Sequence, residues 1–293
     1  MTFSENYNSI KNLVNKELQK IEQKMISEVQ IREPLNSYLT NFLTSPSKRI
    51  RSVLTILYLK ALGEELTDNQ LELLSIIELV HNASLIHDDI IDESTLRRGE
   101  LTISAKFGNK LGVISGDYIL SLAMQKLAKI NNIEVISHFS KTIKQMCIGE
   151  INQNFDKFKI GTIENYIDKT KNKTGYLFET ALICCTMFSE KELGTEQAGE
   201  LGINTGIAFQ IRDDLINYTN TDKSKPFNND IKEGIYNAPI IYSGNINDYS
   251  SGIEKTKVLL DNHIQNSLKI TEKLPVNEYS IALKKFLELL NNV

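Results

Sequence analysis

Apolar residues recur at three- and four-residue spacing along most of this chain, and glycine and proline seldom interrupt them. The pattern predicts helices over 71–92, 116–130, 134–155, 173–188, 198–218 and 281–292. Several are apolar nearly all round, which marks the central helices of a large bundle. No convincing period-two strand, low-complexity tract or short internal repeat is present. The polar stretch TNTDKSKPFNNDIKEGIYN (219–237) is the longest expected loop, and NINDYSSG (245–252) a shorter one. Neither reads as a linker between two cores. The expected architecture is therefore one all-α domain over residues 1–293.

Composition narrows the classes of function. A net charge of −4, with acids and bases intermixed, argues against nucleic acid as a partner. The N-terminal MTFSENYNSIKNLVNKELQK lacks the apolar core of a signal peptide, and no segment is apolar enough to span a bilayer. A cytoplasmic protein without an integral membrane segment is expected. Cys147 stands alone and Cys184 and Cys185 are adjacent, so no disulfide framework or zinc spacing is available. All three read as small buried residues.

The chemistry concentrates in SLIHDDIIDESTLRRG (84–99), where a run of apolar residues gives way to Asp88, Asp89 and Asp92 and then to Arg97 and Arg98. Positions i and i+4 share a helix face, so Asp88 and Asp92 can hold one hard cation, with Asp89 free to reach an adjacent one. QIRDDLIN (210–217) repeats the pattern with Asp213, Asp214 and Asn217. Two such helix ends facing each other make an oxygen-rich clamp suited to Mg2+, which takes one or two carboxylates together with substrate phosphates. Lys48, Arg49, Arg51, Arg97, Arg98, Lys173 and Lys225 supply positive charge, which suits a polyanion of phosphates. His81 lies two turns before Asp88 and can share its face.

HNASLIHDDIIDESTLRRG, GEINQ, KTGYLF and FQIRDDLIN, in this order between about residues 45 and 242, resemble the trans-isoprenyl (polyprenyl) diphosphate synthases. The resemblance implies a single-domain isoprenoid-synthase-type helix bundle around a central cavity. It also implies the addition of isopentenyl diphosphate head-to-tail to an allylic prenyl diphosphate, with farnesyl or geranylgeranyl diphosphate as primer. Asp88, Asp89, Asp92, Asp213, Asp214 and Asn217 would then bind up to three Mg2+ ions with the substrate diphosphate, Mn2+ being an alternative. Lys48, Arg51, His81 and Arg98 match the positions that hold isopentenyl diphosphate, and Arg97, Lys173 and Lys225 those that hold the allylic diphosphate. Lys173, Thr174 and Gln210 form the expected catalytic set, with Thr174 and Gln210 beside the reacting carbons. Gly149, Glu150 and Gln153 are expected as packing and support.

The chain departs from the family pattern in several places. Ser47 and Ser52 replace a usual glycine and proline, Asn217 replaces an aspartate, and Ile235 stands where short-chain members often carry lysine. Ser84 and Ala83, four and five positions before Asp88, are small where short-chain members carry bulk. The floor of the product tunnel should then lie deeper, at Val80, Ile77, Met124 or Leu127, giving an all-trans product of about thirty to forty carbons that is delivered to a membrane. The alternatives are a short-chain farnesyl or geranylgeranyl diphosphate synthase and a regulatory subunit of a heteromeric synthase. A terpene cyclase is disfavoured by the isopentenyl diphosphate residues. A homodimer is expected, with 116–128 and 134–146 as contact helices.

Overall fold

The computed structural model describes residues 3–189, 194–219 and 229–293. Among them the helices run in the order α1 (Phe3–Asn12), α2 (Asn15–Ile26), α3 (Leu35–Thr44), α4 (Ile50–Ala61), α5 (Asp68–Ile91), α6 (Ile103–Phe107), α7 (Asn109–Ile130) and α8 (Ile133–Phe155). They continue with α9 (Ile163–Thr170), a π-helical turn (Lys171–Gly175), α10 (Tyr176–Thr186), α11 (Thr195–Thr219), α12 (Asn229–Lys232), α13 (Ala238–Ser243), α14 (Ser250–Thr271) and α15 (Glu278–Leu289). The all-α expectation holds.

The contacts group into two compact units. One comprises Val14–Ile56 and Glu65–Ile136; the other comprises Met1–Leu13, Leu57–Glu64 and Ser137–Val293. In the first, α5 is the central element. Leu73, Leu74, Ile76, Ile77 and Leu79 are fully buried in succession, so the helix is enclosed on every side, as its unbroken apolar run requires. It packs against α7 and α2. In the second unit α11 is central and packs against α10 and α14. A side chain at Gly202 would meet the backbone of Glu179 at 2.7 Å, and one at Gly206 the Cα of Gly175 at 2.8 Å. Glycine at these two places lets α10 and α11 approach backbone to backbone.

Short or polar helices escaped the periodicity: α1 to α4, α6, α9 and α12 to α14 all lie outside the six expected segments. A two-residue antiparallel hairpin also forms, β1 (Leu96–Arg97) with β2 (Glu100–Leu101). Its turn residues Arg98 and Gly99 have φ of 54° and 84°, the paired positive values that a tight hairpin requires. Part of the expected long loop, Asn229–Lys232, is helical. Cys184 and Cys185 are buried, and burial pushes the Cys184 thiol up to about 12. Cys147, expected to be buried, is exposed. No helix among the described residues is long and apolar enough to cross a membrane.

Candidate active site

The first aspartate motif sits at the C-terminal end of α5. The helix starts at a capping box in which the Thr67 hydroxyl accepts from the Gln70 N–H at 3.2 Å and Gln70 Oε1 accepts from the Thr67 N–H at 2.8 Å. It ends at Asp92, whose N–H donates to the Asp88 carbonyl at 2.8 Å. Asp88 is half-buried and Asp92 exposed, one turn apart on one face. Asp89 turns inward. It is 3% exposed, and Arg97 Nε and Nη2 both donate to its Oδ1, at 2.7 and 2.6 Å. Arg97 thus holds one oxygen of Asp89, a carboxylate expected from sequence among the metal ligands. Arg97, expected on the allylic diphosphate, is here the partner of Asp89.

A basic field surrounds this helix end. Arg98, carried out of the hairpin turn, donates through Nη1 to Ser45 Oγ at 2.6 Å and lies over the Phe42 ring. Arg49 is buried and pairs with Glu78 at 3.3 Å, while its Nη2 donates to the Leu43 carbonyl at 2.6 Å. The Ser52 hydroxyl donates to the other Glu78 oxygen at 2.7 Å, which gives a physical reason for serine at this position. Burial lowers Arg51 to about 10, against the opposing pull of Glu78. Burial first, and then the charges of Arg51, Arg98, Arg97 and Arg49, hold His81 well below its ordinary value. His81 is thus a neutral imidazole among guanidinium groups, as an anion-binding pocket would arrange it. Lys48 is exposed at the edge of the same segment.

The second motif is built differently. It lies in the last turns of α11, which continues to Thr219, close to the end expected from the 198–218 pattern. Asp213 and Asn217 are half-buried, while Asp214 is 5% exposed. Tyr166 of α9 donates its hydroxyl to Asp214 Oδ2 at 2.7 Å, and Gln210 Nε2 donates to Oδ1 at 2.9 Å. Burial, then the nearby charge of Asp230, pushes Asp214 up to about 7 despite Lys169 and these donors. Asn217 and Asn237 both donate to Asp230 Oδ2, at 3.1 and 2.8 Å, and Lys169 donates to Asn237 Oδ1 at 3.1 Å.

The π-helical turn supplies the remaining groups. Lys173 pairs with Glu150 at 2.6 Å, and Gln153 donates to the same carboxylate at 3.3 Å. Gly149 admits the turn closely, since a side chain there would meet Asn172 Cβ at 3.0 Å and Lys173 N at 3.1 Å. The Thr174 hydroxyl donates to Gln210 Oε1 at 2.9 Å. A chain of hydrogen bonds therefore runs Thr174 to Gln210 to Asp214, with Tyr166 closing it. Lys225 falls outside the described residues. Glu78, Tyr166, Lys169, Asp230 and Asn237 were not singled out from sequence. Tyr166 and Lys169 lie seven and four positions before Lys173, a helical spacing that could have flagged them.

Among the described residues no three Asp, Glu, His or Cys side chains converge into a closed metal cage. The donors on offer are oxygens in ones and twos (Asp88 with Asp92, Asp213 with Asn217), and this set fits a hard divalent cation that also takes phosphate oxygens.

Residues 32–274 match the family model "Polyprenyl synthetase". A prenyl transferase of Cyanophora paradoxa is 31% identical, over 92% of this chain and 94% of that one. Solanesyl diphosphate synthase 1, chloroplastic, of Arabidopsis thaliana is 36% identical, over 79% of this chain and 59% of that protein. The crystal structure of heptaprenyl diphosphate synthase from Staphylococcus aureus superimposes with a TM-score of 0.86 at 25% identity, covering 96% of this chain and 98% of that one. Two aspartate motifs on the central helices of the two units, in this sequence order and on this fold, have one family in common: the chain belongs to the polyprenyl synthetases.

Proposed function

We propose that the chain is a trans-prenyltransferase that extends an allylic diphosphate with isopentenyl diphosphate to an all-trans product of medium or long chain. The basic field around His81 carries this reading. Arg49, Arg51, Arg97 and Arg98 all bear on one neutral imidazole, beside carboxylates that suit Mg2+. Solanesyl and decaprenyl diphosphate synthases among the relatives support the longer product.

The residues have distinct tasks. Lys48, Arg51, Arg98 and neutral His81 hold isopentenyl diphosphate. Arg97, through Asp89, fixes the end of α5 so that Asp88 and Asp92 present oxygens one turn apart. Bound divalent ions would neutralise charge on the departing allylic diphosphate. Lys173, held by Glu150, adds positive charge beside the π-helical turn. The Thr174 hydroxyl donates to Gln210, leaving the oxygen lone pairs of Thr174 and the second lone pair of Gln210 Oε1 to face an allylic cation. Apolar helix faces keep water from that cation, and the proton lost after alkylation passes to released diphosphate.

A homodimer is the proposed assembly. Exposed apolar residues flank the two stretches expected from sequence, among them Leu111, Val113 and Ile114 early in α7 and Ile148, Ile151 and Phe155 late in α8. Light scattering at micromolar protein should give twice the chain mass. The function itself is tested with Mg2+, farnesyl diphosphate and labelled isopentenyl diphosphate, followed by sizing of the products. Products longer than twenty carbons support the reading, and no incorporation refutes it.

A further inference from the structure

Behind the second motif lies a basic side chain that the chemistry described so far does not use. Lys169 is in the last turn of α9, where the helix dipole favours a positive charge, and it follows Tyr166 by one turn on the same face. It is half-buried. Its Nζ donates to Asn237 Oδ1 at 3.1 Å and sits 5.4 Å from the centre of the Tyr166 ring. Each of these neighbours leads on to a carboxylate. Asn237 Nδ2 donates to Asp230 Oδ2 at 2.8 Å, and the Tyr166 hydroxyl donates to Asp214 Oδ2 at 2.7 Å. The Lys169 ammonium is therefore one side chain removed from both Asp214 and Asp230.

The group is held in that position. Asn237 is 2% exposed, and its own N–H donates to the Tyr218 hydroxyl at 3.4 Å, so the amide that receives Lys169 is fixed at three points. Burial holds Lys169 below its ordinary value, against the opposing pull of Asp214, Asp230 and Glu150. An ammonium at one remove takes no part in coordination, yet its field reaches any ion held by Asp213 or Asp214. Asn217 contributes an amide in place of a carboxylate, so this one positive charge offsets a larger share of the negative charge around the motif.

We propose that Lys169 makes the second motif selective: it opposes a bare divalent ion there and favours the same ion when it arrives bound to a diphosphate. The proposal rests on the reading above, in which divalent ions serve the allylic diphosphate. The sign follows from net charge. A bare ion is doubly positive and is repelled by the ammonium, whereas a metal–diphosphate complex is negative overall and is attracted to it. One lysine thus discourages metal that comes without substrate and assists metal that comes with it, while touching neither.

The test is calorimetric titration at low ionic strength, first with Mn2+ alone and then with the preformed complex of Mn2+ and inorganic diphosphate. All proteins carry Asp88→Asn and Asp92→Asn, which silence the first motif. Lys169→Gln removes the charge and keeps an N–H for Asn237, Lys169→Met removes both, and Lys169→Arg keeps the charge. The two neutral variants should bind Mn2+ alone about three- to tenfold more tightly and the diphosphate complex more weakly by a similar factor, with Lys169→Arg following the parent. Loss of packing alone would weaken both, so the opposite signs separate charge from support. Thermal melts identify which variants are folded. Unchanged affinities, or shifts in the same direction, in a folded neutral variant would overturn the proposal alone. A further protein with Asp213→Asn and Asp214→Asn should lose the remaining Mn2+ site. If it binds Mn2+ as its parent does, the second motif is not a cation site, and the reading beneath the proposal falls with it.

Discussion

The two aspartate motifs look alike in sequence and are set in opposite electrostatic surroundings. At the end of α5, Asp89 is locked by the charged fork of Arg97 and lies in a field of guanidinium groups. Within α11, Asp214 is locked by the neutral donors Tyr166 and Gln210 and shares its neighbourhood with Asp230. The first motif carries its own counter-charge in Arg97. In the second, burial first and then the nearby charge of Asp230 push the central carboxylate up to about 7, so a cation binding there would compete with a proton. Two carboxylate pairs alike in sequence thus differ in their surroundings, because burial and the neighbouring donors are set by other parts of the fold.

The comparison breaks most visibly if either motif is removed. Asp88→Ala should lower turnover by about 10³-fold or more, and Asp214→Ala by a similar factor, since each takes away several kcal/mol of charge stabilisation. Steady-state kinetics with Mg2+ titrated to saturation checks both, and activity surviving in excess chelator would remove the basis of the comparison. Glu78→Ala strands buried Arg49 and should cost about 3–5 kcal/mol of stability, read as a fall in thermal midpoint. Tyr166→Phe takes one donor from Asp214 and should reduce kcat by about tenfold while changing the Mg2+ concentration for half-maximal rate. A variant whose Mg2+ dependence matches wild type would show that this hydrogen bond does not tune the second motif.

The smaller effects sharpen the contrast. His81 binds fewer protons in the folded chain than in the unfolded one, because its folded value lies well below 6.5. Its contribution to stability is therefore complete above about pH 6.5 and is lost as the pH falls below that value. His81→Gln should flatten the acid limb of a stability profile by about one proton. Asn217→Ala should be mildest, because Asn217 meets Asp230 through an uncharged amide. A loss equal to that of Asp214→Ala would make Asn217 an essential ligand.

Much of this was legible in the chain itself. The long apolar helices α5, α7, α8 and α11 announce themselves by period, and the family motifs locate Asp88, Arg98, His81, Lys173, Thr174 and Gln210. What stayed hidden depends on direction. Asp88 and Asp89 are adjacent letters, yet one faces outward and the other is sealed under Arg97, eight residues on across a hairpin too short to show alternation. Asp214 acquires Tyr166 from another helix, and Ser52 explains itself only once Glu78 is seen to lack a second donor. Polar helices such as α2 and α14 were missed because charged stretches of that kind also read as loops.

The π-helical turn at Lys171–Gly175 acts as a phase shifter between two stretches of ordinary helix. Each residue in an α-helix advances its neighbours by about 100°, so a five-residue closure in place of a four-residue one rotates everything before it relative to everything after it. That offset lets Tyr166 reach Asp214 and Lys169 reach Asn237 while Thr174 reaches Gln210. The site is thus encoded partly in residue count, and deleting Asn172 would retain every functional side chain while turning α9 away from its target.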